Sequence, residues 1–242
     1  MNRTRNLQFI LILFSFLLIQ GCQMSSQDKP GKISEVEQMY DQQRYTDAMN
    51  VARFNLNKDP KDLASIATVW KVQVLQEAKS LDYAQQFFEQ AKERVKEYGP
   101  GLIPFLGRGL LGDHYNTVRL FCLYSLGEFD DSTSTQLIAR VFEPDYTLGD
   151  KASNVTLEFI RGEAASFLAN RHYKPAYEGI AALLKSEDTD TRIKAISALG
   201  FIGDQRAIPL LEELAKESLT KKDIAWIAIM ADSSIARIKR SQ

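Results

Sequence analysis

Side chains able to do chemistry are few in this chain and stand far apart. Of the two histidines, His114 and His172, neither has a second ligand-type residue one helical turn away, and both read as solvated turn residues. Asp130-Asp131, and Asp188 with Asp190, are turn acids ahead of apolar periodic stretches, where a carboxylate accepts from the free N–H groups of a helix start. No glycine-rich phosphate loop, serine nucleophile elbow or metal-binding cysteine pair occurs. Cys122 occupies a small step of an apolar helical stripe, the setting of a buried small hydrophobe rather than of a nucleophile or sensor. Cys22 is different, because it closes an apolar run directly after Gly21. The chain is therefore expected to hold no catalytic residue, metal or cofactor, and its chemistry to centre on Cys22.

The elements around Cys22 give that thiol its meaning. Arg3 and Arg5 precede an apolar run from Leu7 to Ile19, which at about 1.5 Å rise per residue falls short of a bilayer core. It reads as the apolar region of a signal segment. Leu18-Ile19-Gln20-Gly21-Cys22 resembles the lipobox of bacterial lipoproteins, whose Cys is diacylated on sulfur and becomes the new N-terminus. The resemblance implies a signal peptide over 1–21, acylation of Cys22, and firm membrane attachment, since each buried acyl CH₂ contributes about 0.8 kcal/mol. Gln23 in place of Asp, in the Gram-negative sorting pattern that this also resembles, implies the periplasm-facing side of the outer membrane. The polar stretch 22–32, with Pro30-Gly31, reads as a tether. The plainer alternative is an ordinary secretory signal with an incidental Cys.

Beyond the tether the sequence repeats itself. Thr191-Arg192-Ile193-Lys194-Ala195-Ile196-Ser197-Ala198-Leu199-Gly200 reads as one helix, with Gly200 placed to end it, and Ala207 to Leu214 as a second with Pro209 near its start. Val118-Arg119 leads through Cys122 and Ser125 to Leu126-Gly127, and Ile160-Arg161 through Ala164 and Phe167 to Leu168-Ala169, at matching steps. A short helix pair cannot bury both faces alone, so such copies stack. The unit resembles the HEAT-like repeat, also known from phycobilisome-lyase relatives. The fold class implied is all-α, a right-handed α-solenoid of helical hairpins.

The region 33–98 carries another punctuation. Tyr45, Ala48 and Asn57-Lys58-Asp59-Pro60, and later Tyr83, Ala84, Phe88 and Ala91, fall at the spacing of tetratricopeptide repeats, with Asn55 where that family usually has Ala. Trp70 and Val74 lie on the core stripe of a helix from about Leu63 to Lys79. Gly99-Pro100-Gly101 marks the junction, and 99–242 is expected to be HEAT-like repeats closed by a cap helix within Lys221 to Arg240. Glu143 to Asn154 is an insertion between two helices of a repeat.

By resemblance to HEAT repeats, Asp188 and Asp190 would form an interrepeat ladder with Arg161 and Arg192, continued by Arg119. The same resemblance sets the steps after each Arg facing outward. In the third and second copies these are Ile193, Lys194 and Ser197, and Gly162, Glu163 and Ser166. Only the first copy is apolar and aromatic there, with Leu120, Phe121 and Tyr124. Either a partner protein covers those three, or the preceding hairpins fold over them. With a net charge of −1 and no basic footprint, nucleic acid is excluded as a partner. The expected function is an outer-membrane lipoprotein scaffold holding another envelope protein. The alternatives are a lyase-related enzyme, disfavoured by export, and a purely structural spacer.

Overall fold

The computed structural model describes residues 33–77, 95–149, 155–219 and 225–241. The signal segment, Cys22, the tether, the expected second hairpin around Tyr83 to Ala91, and 150–154 and 221–224 lie outside the described residues. The chain divides into Met1–Glu35 and Val36–Gln242, and the helices belong to the second unit, α1 starting at its edge.

Helix follows helix, with no strand among the described residues. The first three are α1 (Glu35–Asp41), α2 (Tyr45–Lys58) and α3 (Leu63–Glu77). A 3₁₀ turn at Pro100–Leu102 leads into α4 (Ile103–Gly112), then α5 (Asn116–Gly127), α6 (Ser132–Ala139), α7 (Leu157–Asn170), α8 (Tyr177–Ala182), α9 (Thr189–Ile202), α10 (Ala207–Leu219) and α11 (Ala225–Arg240). The fold is an all-α solenoid in which helices pack as pairs.

Local chemistry sets the helix ends. The Asp131 side chain accepts from the N–H groups of Thr133 and Ser134 at the start of α6, Thr156 accepts from Phe159 N–H at α7, and Asp188 accepts from Thr191 N–H at α9. Each satisfies donors that a helix start leaves without an intrahelical partner. Gly203, at φ 73°, closes α9 in the left-handed conformation that costs glycine nothing. Gly200 does not end the helix as its place in the sequence suggests, because α9 runs on to Ile202.

One continuous core runs from Ile66 to Ile238, and a smaller cluster gathers Val36, Tyr40, Ala48, Met49, Ala52, Ala64 and Val72. Helix α3 serves both: Ile66, Ala67, Trp70 and Val74 enter the long core, while Ala64 and Val72 face the smaller one. The first hairpin and the repeats thus share a wall. Asn55, at the step expected to be Ala, donates from Nδ2 to Ser65 Oγ at 3.2 Å, so a polar contact joins α2 to α3 there. At the far end, Ile227, Ala228, Ala231 and Ile235 of α11 are buried, the stripe expected of a closing helix.

Candidate functional site

The second helices of the pairs lie against one another through small residues. A Cβ at Gly127 of α5 would collide with the Phe167 ring of α7, and one at Gly200 of α9 would stand 2.7 Å from Ser234 Oγ of α11. The glycines of these Leu-Gly steps therefore record close approach between successive repeats, Gly200 inside α9 and Gly127 as the last residue of α5. Over residues 158–231 the chain matches the family model of HEAT repeats. That match runs from the first turn of α7 into α11. No curated protein matches the chain.

Nearer the N-terminal end of the described helices, a groove of about 630 Å³ is lined by Glu37 and Asp41 of α1, Lys71 of α3, Pro104, Gly107, Arg108, Gly109, Leu111 and Gly112 of α4, Asp113, His114, and Leu137 and Arg140 around the end of α6. Two charge pairs form its walls. Arg108 donates from Nη2 and Nε to Glu37 Oε1 at 2.6 and 3.2 Å and lies 4.8 Å from the Phe105 ring centre. Deeper in, Lys71 Nζ stands 3.8 Å from Asp113 Oδ2 and 3.9 Å from the centre of the Tyr40 ring.

Asp113 is the hub of this cluster. Its Oδ1 accepts from Tyr115 N–H at 3.0 Å and from the Tyr40 hydroxyl at 3.3 Å, and the Tyr45 hydroxyl donates to that of Tyr115 at 3.1 Å. Its Oδ2 is buried without a hydrogen bond. Burial pushes the Asp113 carboxyl above its usual value, outweighing the pull of Lys71 and the bonds to Oδ1. Burial, reinforced by the neighbouring Asp113 charge, also raises the Tyr40 phenol, and burial raises the Cys122 thiol. A fully enclosed thiol of this kind is inert. No group of His, Cys, Asp and Glu able to hold a metal occurs among the described residues. The cluster can fix geometry and bind, and it contains no activated nucleophile.

The arginine row exists, but it does not bond to the expected acids. Arg119 donates from Nε to Asp113 O at 2.6 Å and from Nη1 to Thr147 O at 2.5 Å. Arg161 donates to Val141 O at 2.8 Å and to Glu143 O at 3.4 Å, and Arg192 to Thr189 Oγ1 at 3.1 Å. Asp188 is engaged in capping α9, where it also accepts from the Thr191 hydroxyl at 2.5 Å. No ion pair joins Asp188 or Asp190 to these arginines among the described residues, so the expected Asp–Arg ladder is replaced by bonds to carbonyls at Arg119 and Arg161 and to a hydroxyl at Arg192. Carbonyls left over where α6 and its 3₁₀ turn end are the nearer acceptors for Arg161, and a charged donor satisfies them.

Leu120 and Phe121 are buried, and Phe121 meets Trp70 edge-on at 6.3 Å between ring centres. Of the two expected alternatives, cover by the preceding hairpin holds for Phe121, and the candidate partner-binding role is corrected: both residues are core rather than docking surface. Tyr124 is half-buried against Phe167, with ring centres 5.7 Å apart. His114 and His172 are exposed turn residues, and His172 Nδ1 lies 2.7 Å from Phe201 O. Cys122 is fully buried.

Two residues stand out that the repeat pattern did not single out. Arg171 donates from Nη2 to the carbonyls of Leu126, Gly127 and Phe129 at 3.2, 3.0 and 2.6 Å, and from Nη1 to Thr135 Oγ1 at 3.1 Å. Asn116 accepts Gly149 N–H on Oδ1 at 3.1 Å and donates from Nδ2 to Val155 O at 3.3 Å. An Arg after a helix and an Asn opening one are common surface choices, so only their partners reveal these roles.

Proposed function

We propose that this protein is a membrane-anchored lipoprotein scaffold of the bacterial cell envelope, held by acyl chains on Cys22 in the outer membrane and facing the periplasm. Its HEAT-like repeats, preceded by tetratricopeptide-like hairpins, hold another envelope protein and perform no chemistry of their own. The observation that carries this reading is the pairing of a HEAT-repeat match over residues 158–231 with the Gly21-Cys22 step at the end of the apolar run. Repeat solenoids present extended surfaces to protein partners, and a two-chain acyl anchor confines such a surface to one membrane. No described helix is long and apolar enough to cross a membrane.

Affinity capture of the full chain from detergent-solubilised envelopes tests this reading. One stoichiometric protein partner is the expected result. A bound pigment would instead favour the lyase-related enzyme, and the absence of both the spacer. Cys22→Ala should leave the precursor uncleaved by lipoprotein signal peptidase, and acyl-free mature protein in the soluble periplasm would refute the anchor.

A further inference from the structure

Two buried carboxylates line the groove, and the fold answers them differently. Glu37 takes both Nη2 and Nε of Arg108 on Oε1, at 2.6 and 3.2 Å. Asp113, with 1% of its side chain exposed, receives no charged donor among the described residues. Its two side-chain hydrogen bonds come from neutral groups, the Tyr40 hydroxyl and the Tyr115 N–H, and both fall on Oδ1. Lys71 Nζ, at 3.8 Å, lies beyond hydrogen-bond distance of Oδ2, and Arg119 spends its Nε and Nη1 on the carbonyls of Asp113 and Thr147. Oδ2 is therefore an enclosed acceptor that accepts nothing. An ionised carboxylate has room for about four donors, whereas a protonated one turns one oxygen into a donor and gives up its charge. The neutral acid is the form that these surroundings suit.

We propose that Asp113 is a proton-operated latch where α1 and α3 meet α4 and α5: in mild acid it takes a proton from solvent in the groove onto Oδ2, and the four helices hold together more tightly than at neutral pH. The position suits such a device. This one carboxyl touches α1 through Tyr40, α3 through Lys71 and the start of α5 through Tyr115, and it directly follows the last residue of α4. Tyr40 of α1, Tyr45 of α2 and Cys122 of α5 are pushed upward by burial and stay neutral in acid. The cations beside it are Lys71 of α3 and Arg119 of α5, and neither residue type loses its charge on acidification. Elsewhere around the groove Glu37 is held by Arg108 of α4, while Asp41, His114 and Arg140 are exposed. Burial sets the Asp113 carboxyl above its unfolded value despite Lys71, so between the two values the folded state binds the extra proton. Stability is gained as pH falls through the folded value, and the gain is complete below the unfolded one of about 3.9.

Hydrogen exchange of the full chain in detergent tests this, followed from neutral pH down to about one unit above that unfolded value and corrected for the intrinsic pH dependence of exchange. Amides of α1 and α3 should become more protected as pH falls, by about ten-fold for each pH unit by which burial raises the Asp113 carboxyl. Amides of α10 and α11 serve as the unchanged reference. Lys71→Met removes the cation nearest Oδ2 and should move the onset of protection to higher pH. The charge-neutral double variant Lys71→Met, Asp113→Asn strands neither charge, and its protection of α1 and α3 should be flat across the range. A rise owed to His114 or Asp41 would survive in that double variant, and such survival overturns the proposal. Wild-type protection of α1 and α3 that does not rise overturns it too. So does an onset in Lys71→Met at the wild-type pH, a result that does not depend on the double variant folding.

Discussion

Phe121 points its ring edge-on at Trp70, with centres 6.3 Å apart and planes at 81°, and this contact joins α3 to α5. Tyr98 meets the same indole at 5.7 Å. Both Phe121 and Trp70 belong to the continuous core, so removing the Phe121 ring leaves a cavity on the wall that two structural elements share. Phe121→Ala is expected to cost about 3–5 kcal/mol, read as a lower urea midpoint. A variant with near-wild-type stability would mean that the hairpin is not docked on this residue.

Arg171 makes a different kind of junction, tying α7 back to the end of α5 through three carbonyls. Those carbonyls belong to the last turn and the following loop, where no helical N–H remains to bond them. Arg171→Ala is expected to destabilise by about 2–3 kcal/mol, because charged donors are replaced at partly buried acceptors. Arg171→Lys should recover only part of this, since a single ammonium cannot serve four acceptors in fork geometry. Equal stability of the Lys variant and wild type would argue that charge alone, and not the fork, matters here.

The repeats, their caps and the buried state of Cys122 and Trp70 are legible in the sequence because each rests on a local period: small residues one turn apart, an acid before an apolar stripe. The roles of Gly127 and Gly200 are half legible. A glycine at a helix end has two physical uses, and only the position of the next helix distinguishes close approach from termination. The groove is not legible at all, because Tyr40, Lys71 and Asp113 come from three separate segments and no spacing links them. Leu120 and Phe121 are ambiguous for a related reason: the repeat pattern sets them facing away from their own pair, and spacing along the chain does not say whether a partner or the preceding hairpin fills the surface they face.

Asp188 gives a prediction with a defined pH window. The hydrogen bond from the Thr191 hydroxyl, aided by the backbone N–H groups of Thr191 and Asp190, holds its carboxyl below the usual value. The folded state therefore prefers the ionised acid. The cap's stabilisation is complete above the unfolded value of about 3.9 and is lost as pH falls through the lower folded value. At pH 7, Asp188→Ala should cost about 1 kcal/mol. The difference between wild type and variant should shrink when thermal melts are carried below about pH 4. A gap that stays constant down to acid unfolding would show that the cap does not depend on the charge.

Asn116 spans the two ends of the inserted loop, accepting from Gly149 N–H and donating to Val155 O. It is 1% exposed, so water cannot readily replace the bonds it makes. Arg119 adds a second tie to the same loop by donating to Thr147 O, and Tyr146 a third by donating from its hydroxyl to Leu110 O at 3.2 Å. With three ties on one short stretch, removing one should loosen the loop locally before it unfolds the chain. Asn116→Ala deletes both the acceptor and the donor and leaves the Gly149 N–H and the buried Val155 carbonyl without this partner, at a cost of about 1–2 kcal/mol. Because a solenoid repeat contacts only its neighbours, the loss should appear as faster amide exchange at Gly149 and along the start of α7. Amides of α10 and α11 should exchange at the wild-type rate. Uniform acceleration across all the helices would show that the array melts as one cooperative body, and the loop would then be part of the core's stability rather than an appendage stitched to it.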